Sequence, residues 1–294
     1  MSIAFERAKK TFLGFLQARG KSLNTVKNYA CDLTSLGQFC VRHDFDFQSL
    51  SLRELESYHR SLQEAGLRPN SRRRKLMTAK TFLRYLSGRM DVSTVGSERM
   101  IPPEKVEKPP RLVPRQAVRA IAEAQPDTDL GWRNRVLIGV LLDTGMLVTE
   151  AVQLRREDVG GTLVSIPGKR ARAVRIGEET AKALRELARR IRGEKHFFFG
   201  YSRSGRNAEK LTPRGVEVLF KTWAKAHGLP ALKPRTMRHL FVVEELRKGR
   251  TQKEIMGMLG LKTPYAFRVY EPLRSKTEAT YKSGTDPESK SARP

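Results

Sequence analysis

Apolar residues recur three and four positions apart along most of the chain, and the pattern breaks at residues suited to helix ends. Phe5, Phe12, Phe15 and Leu16 form one stripe, which stops at Gly20. Ser22 is placed to cap a second helix carrying Val26, Tyr29, Leu33, Leu36 and Phe39. Ser51 opens a third with Leu52, Leu55, Tyr58 and Leu62, ending at Gly66. Pro69-Asn70-Ser71 opens a fourth with Leu76, Thr78, Phe82, Leu83 and Leu86, ending at Gly88. The pattern predicts a helical domain over residues 1–90.

From Asp91 to Pro114 the periodicity fails, and five prolines stiffen a charged stretch: Pro102, Pro103, Pro109, Pro110 and Pro114. It reads as an interdomain linker over 91–114. A second domain is expected over 115–282. Helices are predicted from Pro114 to Ala124, Gly131 to Thr144, Thr149 to Arg155, Glu178 to Ile191, Arg235 to Lys248 and Thr251 to Leu259. Thr212 with Pro213 behind it marks one further start. Leu163–Ile166 and Ala173–Ile176 read as two strands around Pro167-Gly168-Lys169-Arg170, a hairpin with a basic tip. The tail over 283–294 is Ser, Lys and Pro rich and reads as disordered. The fold class expected is mainly α with a small β-hairpin or sheet.

Charge sharpens this picture. The chain has 294 residues, 57 Lys and Arg against 31 Asp and Glu, and a formal charge of +26. Such an excess repels itself in a compact chain unless a polyanion is near. The cations are spread through folded-looking segments, which favours nucleic acid over an anionic membrane. No apolar run approaches the ~20 residues of a bilayer span, and the N-terminus lacks a signal-peptide core. A cytoplasmic, nucleoid-associated protein is expected. Cys31 and Cys40 fall on one predicted helix about 13 Å apart along its axis, too far for a disulfide.

Asn70 to Met90 contains no acid and carries Arg72, Arg73, Arg74, Lys75, Lys80, Arg84 and Arg89. A helix that is apolar on one side and purely cationic on the other suits the phosphate flank of a DNA groove. Asn24, Thr25 and Lys27 form either a second contact strip or a helix start. Arg170 at the hairpin tip, Arg214, Arg235 and Arg238 complete the candidate DNA contacts.

Three segments carry chemistry: Asp143-Thr144-Gly145-Met146-Leu147-Val148-Thr149-Glu150, then Arg235-Thr236-Met237-Arg238-His239, then Met258-Leu259-Gly260-Leu261 with Tyr270 nine positions on. Together with the Gly168-Lys169 hairpin they resemble the tyrosine recombinase (phage integrase, Xer-like) family. The resemblance covers nearly the whole chain. It implies a SAM-like core-binding domain and a catalytic-type domain forming a C-shaped clamp on double-stranded DNA. It also implies a C-terminal segment that can be passed to a second copy or a recombinase partner. In that family a tyrosine attacks the phosphodiester and forms a 3′-phosphotyrosine link. Two arginines clamp the phosphate, a hairpin lysine protonates the leaving oxygen, and two histidines assist. No metal or other cofactor is implied.

By resemblance Tyr270 is the nucleophile, Lys169 the hairpin lysine and Arg238 the second arginine, and His239 also matches. Three positions depart. Leu147 replaces the first arginine, Arg235 the first histidine, and Leu261 the histidine after Leu259-Gly260. Leucine cannot donate to phosphate. Arginine stays protonated and cannot move a proton near neutral pH. The expectation is a site-specific DNA-binding protein with a degenerate site, acting as a regulator, a DNA-organising factor or a recombinase partner. The alternative is an active recombinase with a rewired site. Arg155 and Arg156 are the arginines considered for the place left by Leu147, and Tyr265 and Tyr281 are the substitutes for Tyr270.

Overall fold

In the first unit the helix ends follow the caps read from sequence. The structure, a computed structural model, describes residues 3–89, 92–106, 110–191, 195–202 and 205–271. The segment 272–282, Tyr281 and the expected tail 283–294 lie outside the described residues. The chain divides into two units, Met1–Glu107 and Lys108–Pro294.

Helix α1 (Ile3–Ala18) is followed by α2 (Leu23–His43), α3 (Leu52–Glu64) and α4 (Pro69–Ser87). The Ser22 hydroxyl accepts the Thr25 N–H, and Ser51 and Glu54 form a reciprocal capping box at the start of α3. Phe12, Phe82, Leu33, Leu55 and Tyr58 are buried where these helices meet. Phe5 and Phe12 meet Phe82 edge-on at 5.7 and 5.4 Å between ring centroids, a geometry that adds to the ~1.5–3 kcal/mol gained by burying each ring. Among these rings Asp32 is also buried. It accepts from Thr78 at 3.2 Å and pairs with Arg74 and with Lys75.

The expected linker is shorter than the prolines suggested. Residues 92–106 pack on the first unit, where Val92 and Met100 join its core. A short helix α5 (Val95–Arg99) lies against α3. A Cβ on Gly96 would stand 2.4 Å from the Leu50 carbonyl oxygen, so only glycine fits that approach. Asn70 bonds the Val106 backbone twice, at 2.8 and 3.0 Å. Periodicity missed this stretch because it is held by a few anchor residues and by polar bonds to its backbone.

The second unit surrounds α7 (Asp129–Thr144), whose Val136, Leu137, Ile138, Val140, Leu141 and Leu142 are all buried. Helices α6 (Arg115–Glu123), α9 (Glu178–Arg190) and α11 (Pro234–Arg247) pack on it. The expected helix from Thr149 to Arg155 is a single turn, α8 (Val148–Ala151). Beyond it the Arg155 N–H goes to the Asp158 carboxylate at 2.8 Å and Arg155 bridges to His196, which bends the chain away. Strands β1 (Val159–Gly160), β2 (Leu163–Ile166) and β3 (Arg172–Arg175) form an antiparallel sheet in that order. Val164 faces Val174 and Ile166 faces Arg172. A second hairpin, β4 (Phe199–Ser202) with β5 (Gly205–Lys210), was not legible in a polar stretch without alternation. Then come α10 (Pro213–Ala226), capped by Thr212 as expected, α11, α12 (Gln252–Leu259) and a 3-10 segment, Pro264–Tyr270.

Candidate active site and basic helix face

Three chain ends converge in the second unit. Helix α7 stops at Gly145, whose left-handed conformation turns the chain into α8. Helix α12 stops at Gly260, and the β2–β3 hairpin brings its tip beside that turn. Arg238, half-buried on α11, joins two of these ends. It donates to the Gly145 carbonyl at 2.6 Å and to the Leu259 carbonyl at 3.0 Å.

Tyr270 closes the 3-10 segment and is buried, 4% exposed. Its hydroxyl lies 2.9 Å from His239 Nδ1. Burial pushes the His239 pKa down, and the charges of Arg235 and Arg238 push it further, to about 4. The imidazole is therefore neutral at neutral pH. Burial raises the Tyr270 pKa, and the same two guanidinium charges only partly oppose it. The phenol is protonated, so with the ring proton on Nε2 its O–H donates to Nδ1.

Of the three departing positions, Arg235 places its charge on this pair. Leu147 is exposed at the start of α8 and its side chain offers no donor. Arg235 is exposed in the first turn of α11, three positions from Arg238. Leu261 is half-buried and packs on the core of the unit. Lys169 and Arg170 are exposed at the hairpin tip. Tyr265 is 51% exposed in the 3-10 segment, under the Arg268 guanidinium. Neither arginine considered for the place of Leu147 stands there. Arg155 pairs with Glu157 at 3.2 Å. Arg156 caps the end of α9 through the Ala188 and Ile191 carbonyls at 2.7 and 2.6 Å.

The arginine that does stand nearby is Arg172, on β3. It meets Glu150 bidentately at 2.8 Å on both oxygens, and its Nε donates to the Met258 carbonyl at 2.6 Å. Glu150 Oε2 also accepts the Leu147 N–H at 2.7 Å. Burial alone would raise the Glu150 pKa. The hydrogen bonds from Arg172 and Leu147, with the Arg172 and Arg238 charges, outweigh it and hold the carboxyl below its ordinary value. Sequence reading missed Arg172, although alternation contained the signal. Val174 and Ile176 face the core, so residue 172 shares their side.

On the first unit the basic helix face is largely committed to the protein itself. Arg72 bonds Gln63, and Arg73 donates to the Pro103 carbonyl at 2.8 Å. Arg74 and Lys75 share Asp32, and Lys80 donates to the Glu98 carbonyl at 3.1 Å. Arg84 is exposed, and Arg89 stacks on Tyr85 at 4.2 Å. Asn24 and Lys27 are exposed at the start of α2, whereas Thr25 bonds Ser22 through both its N–H and its hydroxyl. Arg214 is exposed on α10 beside Glu217 at 3.3 Å.

The fold these elements make is that of the tyrosine recombinases. A crystal structure of the XerH site-specific recombinase bound to a palindromic difH substrate matches with a TM-score of 0.74 at 16% identity, over 90% of this chain and 81% of that one. The model of the phage integrase family matches residues 110–275, and the phage integrase N-terminal SAM-like domain matches residues 10–89. The chain belongs to the phage integrase family. It is similar to the tyrosine recombinase XerC of Staphylococcus haemolyticus, at 25% identity over 87% of this chain and 88% of the relative. It is also similar to XerC of Herpetosiphon aurantiacus, at 27% identity over 92% of each.

Proposed function

We propose that this chain binds a specific double-stranded DNA site and holds it without cutting it. One observation carries the reading: among the described residues, no uncommitted guanidinium stands where the first arginine of the family pattern belongs. Leu147 occupies that position, Arg238 places its two terminal nitrogens on backbone carbonyls, and Arg172 is matched by Glu150. Loss of one preorganised donor costs a factor of about 10²–10³ in rate, and groups that act as one unit fail together. The exposed cations at Lys169, Arg170, Arg235 and Arg84 are those that would meet phosphate. In this reading the two units clamp duplex DNA, and the protein serves as a regulator, a DNA-organising factor or a partner in a recombinase assembly. The partner contact would run through the segment after Tyr270. The cytoplasmic nucleoid is where such a protein would work.

A second reading, strand cleavage through Tyr270, is favoured by the phenol–imidazole contact at 2.9 Å. A neutral His239 can take the phenolic proton as the Tyr270 oxygen attacks phosphorus, the bond from phosphorus to the 5′ oxygen breaks, and Lys169 gives a proton to that leaving oxygen. One experiment separates the two. The cognate site is first recovered by sequencing bound fragments, then offered as a nicked suicide duplex. A specific gel shift with no covalent adduct on a denaturing gel is expected. An adduct lost in Tyr270→Phe would establish cleavage instead.

A further inference from the structure

Arg172 does more than fill space beside Leu147. Its guanidinium has five N–H donors, and four are spoken for: Nε on Met258 O, one terminal nitrogen on both Glu150 Oε1 and Arg170 O, the other on Glu150 Oε2. Its side chain is 6% exposed. It is therefore poorly placed to receive a phosphate and well placed to fix backbone. The bonds reach three separate segments: the α8 turn through Glu150, the hairpin tip through Arg170 O, and the end of α12 through Met258 O. Gly260 allows the close approach. A Cβ there would stand 2.9 Å from Arg170 Cβ and 3.2 Å from an Arg172 terminal nitrogen. Arg238 fastens the same end of α12 one residue further on, at Leu259 O.

We propose that Arg172 is the positioning residue of the phosphate-binding hairpin, joining it through Glu150 and Met258 to the α8 turn and the α12 end, so that Lys169 is presented to DNA in one fixed place. The assignment of Lys169 to DNA rests on the function proposed above; the joint itself does not. Lysine at 172 keeps the charge but cannot bond Glu150 bidentately while also reaching Met258. The joint thus separates geometry from charge.

The test uses the full chain with Arg172→Lys, and with Glu150→Gln as a second variant acting from the other side. Without DNA, amide hydrogen exchange is followed at Ala171, bonded to Gly168 O at 3.0 Å, and at Leu261, bonded to Met256 O at 2.9 Å. Both amides are expected to exchange faster together, by about tenfold or more, as fits the loss of a charged hydrogen bond. An unchanged Leu261 amide in both variants would overturn the joint. With a mixed-sequence duplex, the slope of log K against log salt is then measured. Lys169→Ala is expected to lower its magnitude by roughly 0.9 in the native background and by nothing in the Arg172→Lys background. Equal losses in the two backgrounds would overturn the positioning role. No loss in the native background would instead refute the hairpin's DNA contact, and the joint would still be decided by the Leu261 amide.

Discussion

Each unit contains a carboxylate that gathers cations from another element, and the two do so differently. Asp32 on α2 is 1% exposed and draws Arg74, Lys75 and Thr78 from a single helix, α4. Glu150 on α8 is 15% exposed and joins one strand arginine to a backbone turn. In the first unit the carboxylate seats a whole basic helix. In the second it ties together loops that would otherwise be independent. Net charge alone describes neither arrangement. The same +26 contains cations facing solvent and cations already spent on the protein.

The largest effect expected is on Asp32. Asp32→Ala leaves Lys75, 11% exposed, without its counter-charge, and breaking such a buried pair costs about 3–5 kcal/mol. Both tryptophans, Trp132 and Trp223, belong to the second unit. Tryptophan fluorescence in urea should therefore be unmoved while exchange at α2 and α4 amides rises sharply. Equal loss in both units would refute the separation.

The second unit has a pH dependence of its own. His239 is neutral when folded, with its pKa lowered to about 4, so the unfolded chain binds the proton first. The associated stability is present above the ordinary histidine value of ~6.5 and is lost as pH falls toward 4, by ~3 kcal/mol at most. His239→Gln should flatten this part of the fluorescence-detected unfolding profile. Glu150 also has its pKa lowered by folding. Its depressed pKa gives stability that is present above the ordinary carboxylate value and lost on acidification through the folded value. Glu150→Gln should cost ~2 kcal/mol at neutral pH, as a hydrogen bond to a charged group does. It should also remove the slope below ~4.3. The smallest effect expected is at Ser51. Ser51→Ala removes one half of a capping box and should cost ~1 kcal/mol, seen in the exchange of α3 amides and absent from tryptophan fluorescence.

Much of this molecule was legible before its structure. Ser22, Ser51 and Thr212 cap helices where the residue pattern put them, because capping is local chemistry between residues three apart. The hairpin that carries Lys169 was legible from its two apolar strands and turn residues, whereas Leu147, Arg235, Leu261 and Tyr270 were singled out by the family resemblance. What escaped depends on distance along the chain. Asp32 lies 42 residues from Arg74 and Glu150 lies 22 from Arg172. No periodicity within one helix or strand can show such partners. The acid-free run of α4 therefore gave no sign of its bonds to Asp32, Gln63, Pro103 and Glu98. The contact between Tyr270 and His239 spans 31 residues and was hidden for the same reason.

Gly96 against the Leu50–Leu52 backbone, with Val92 and Met100 in the core beneath, has a practical consequence for dissecting the protein. An isolated amino-terminal fragment cut at the last turn of α4 would bare an oily floor and invite aggregation. Extended through residue 106 it would keep its own lid, and DNA binding could be tested on it without the other half.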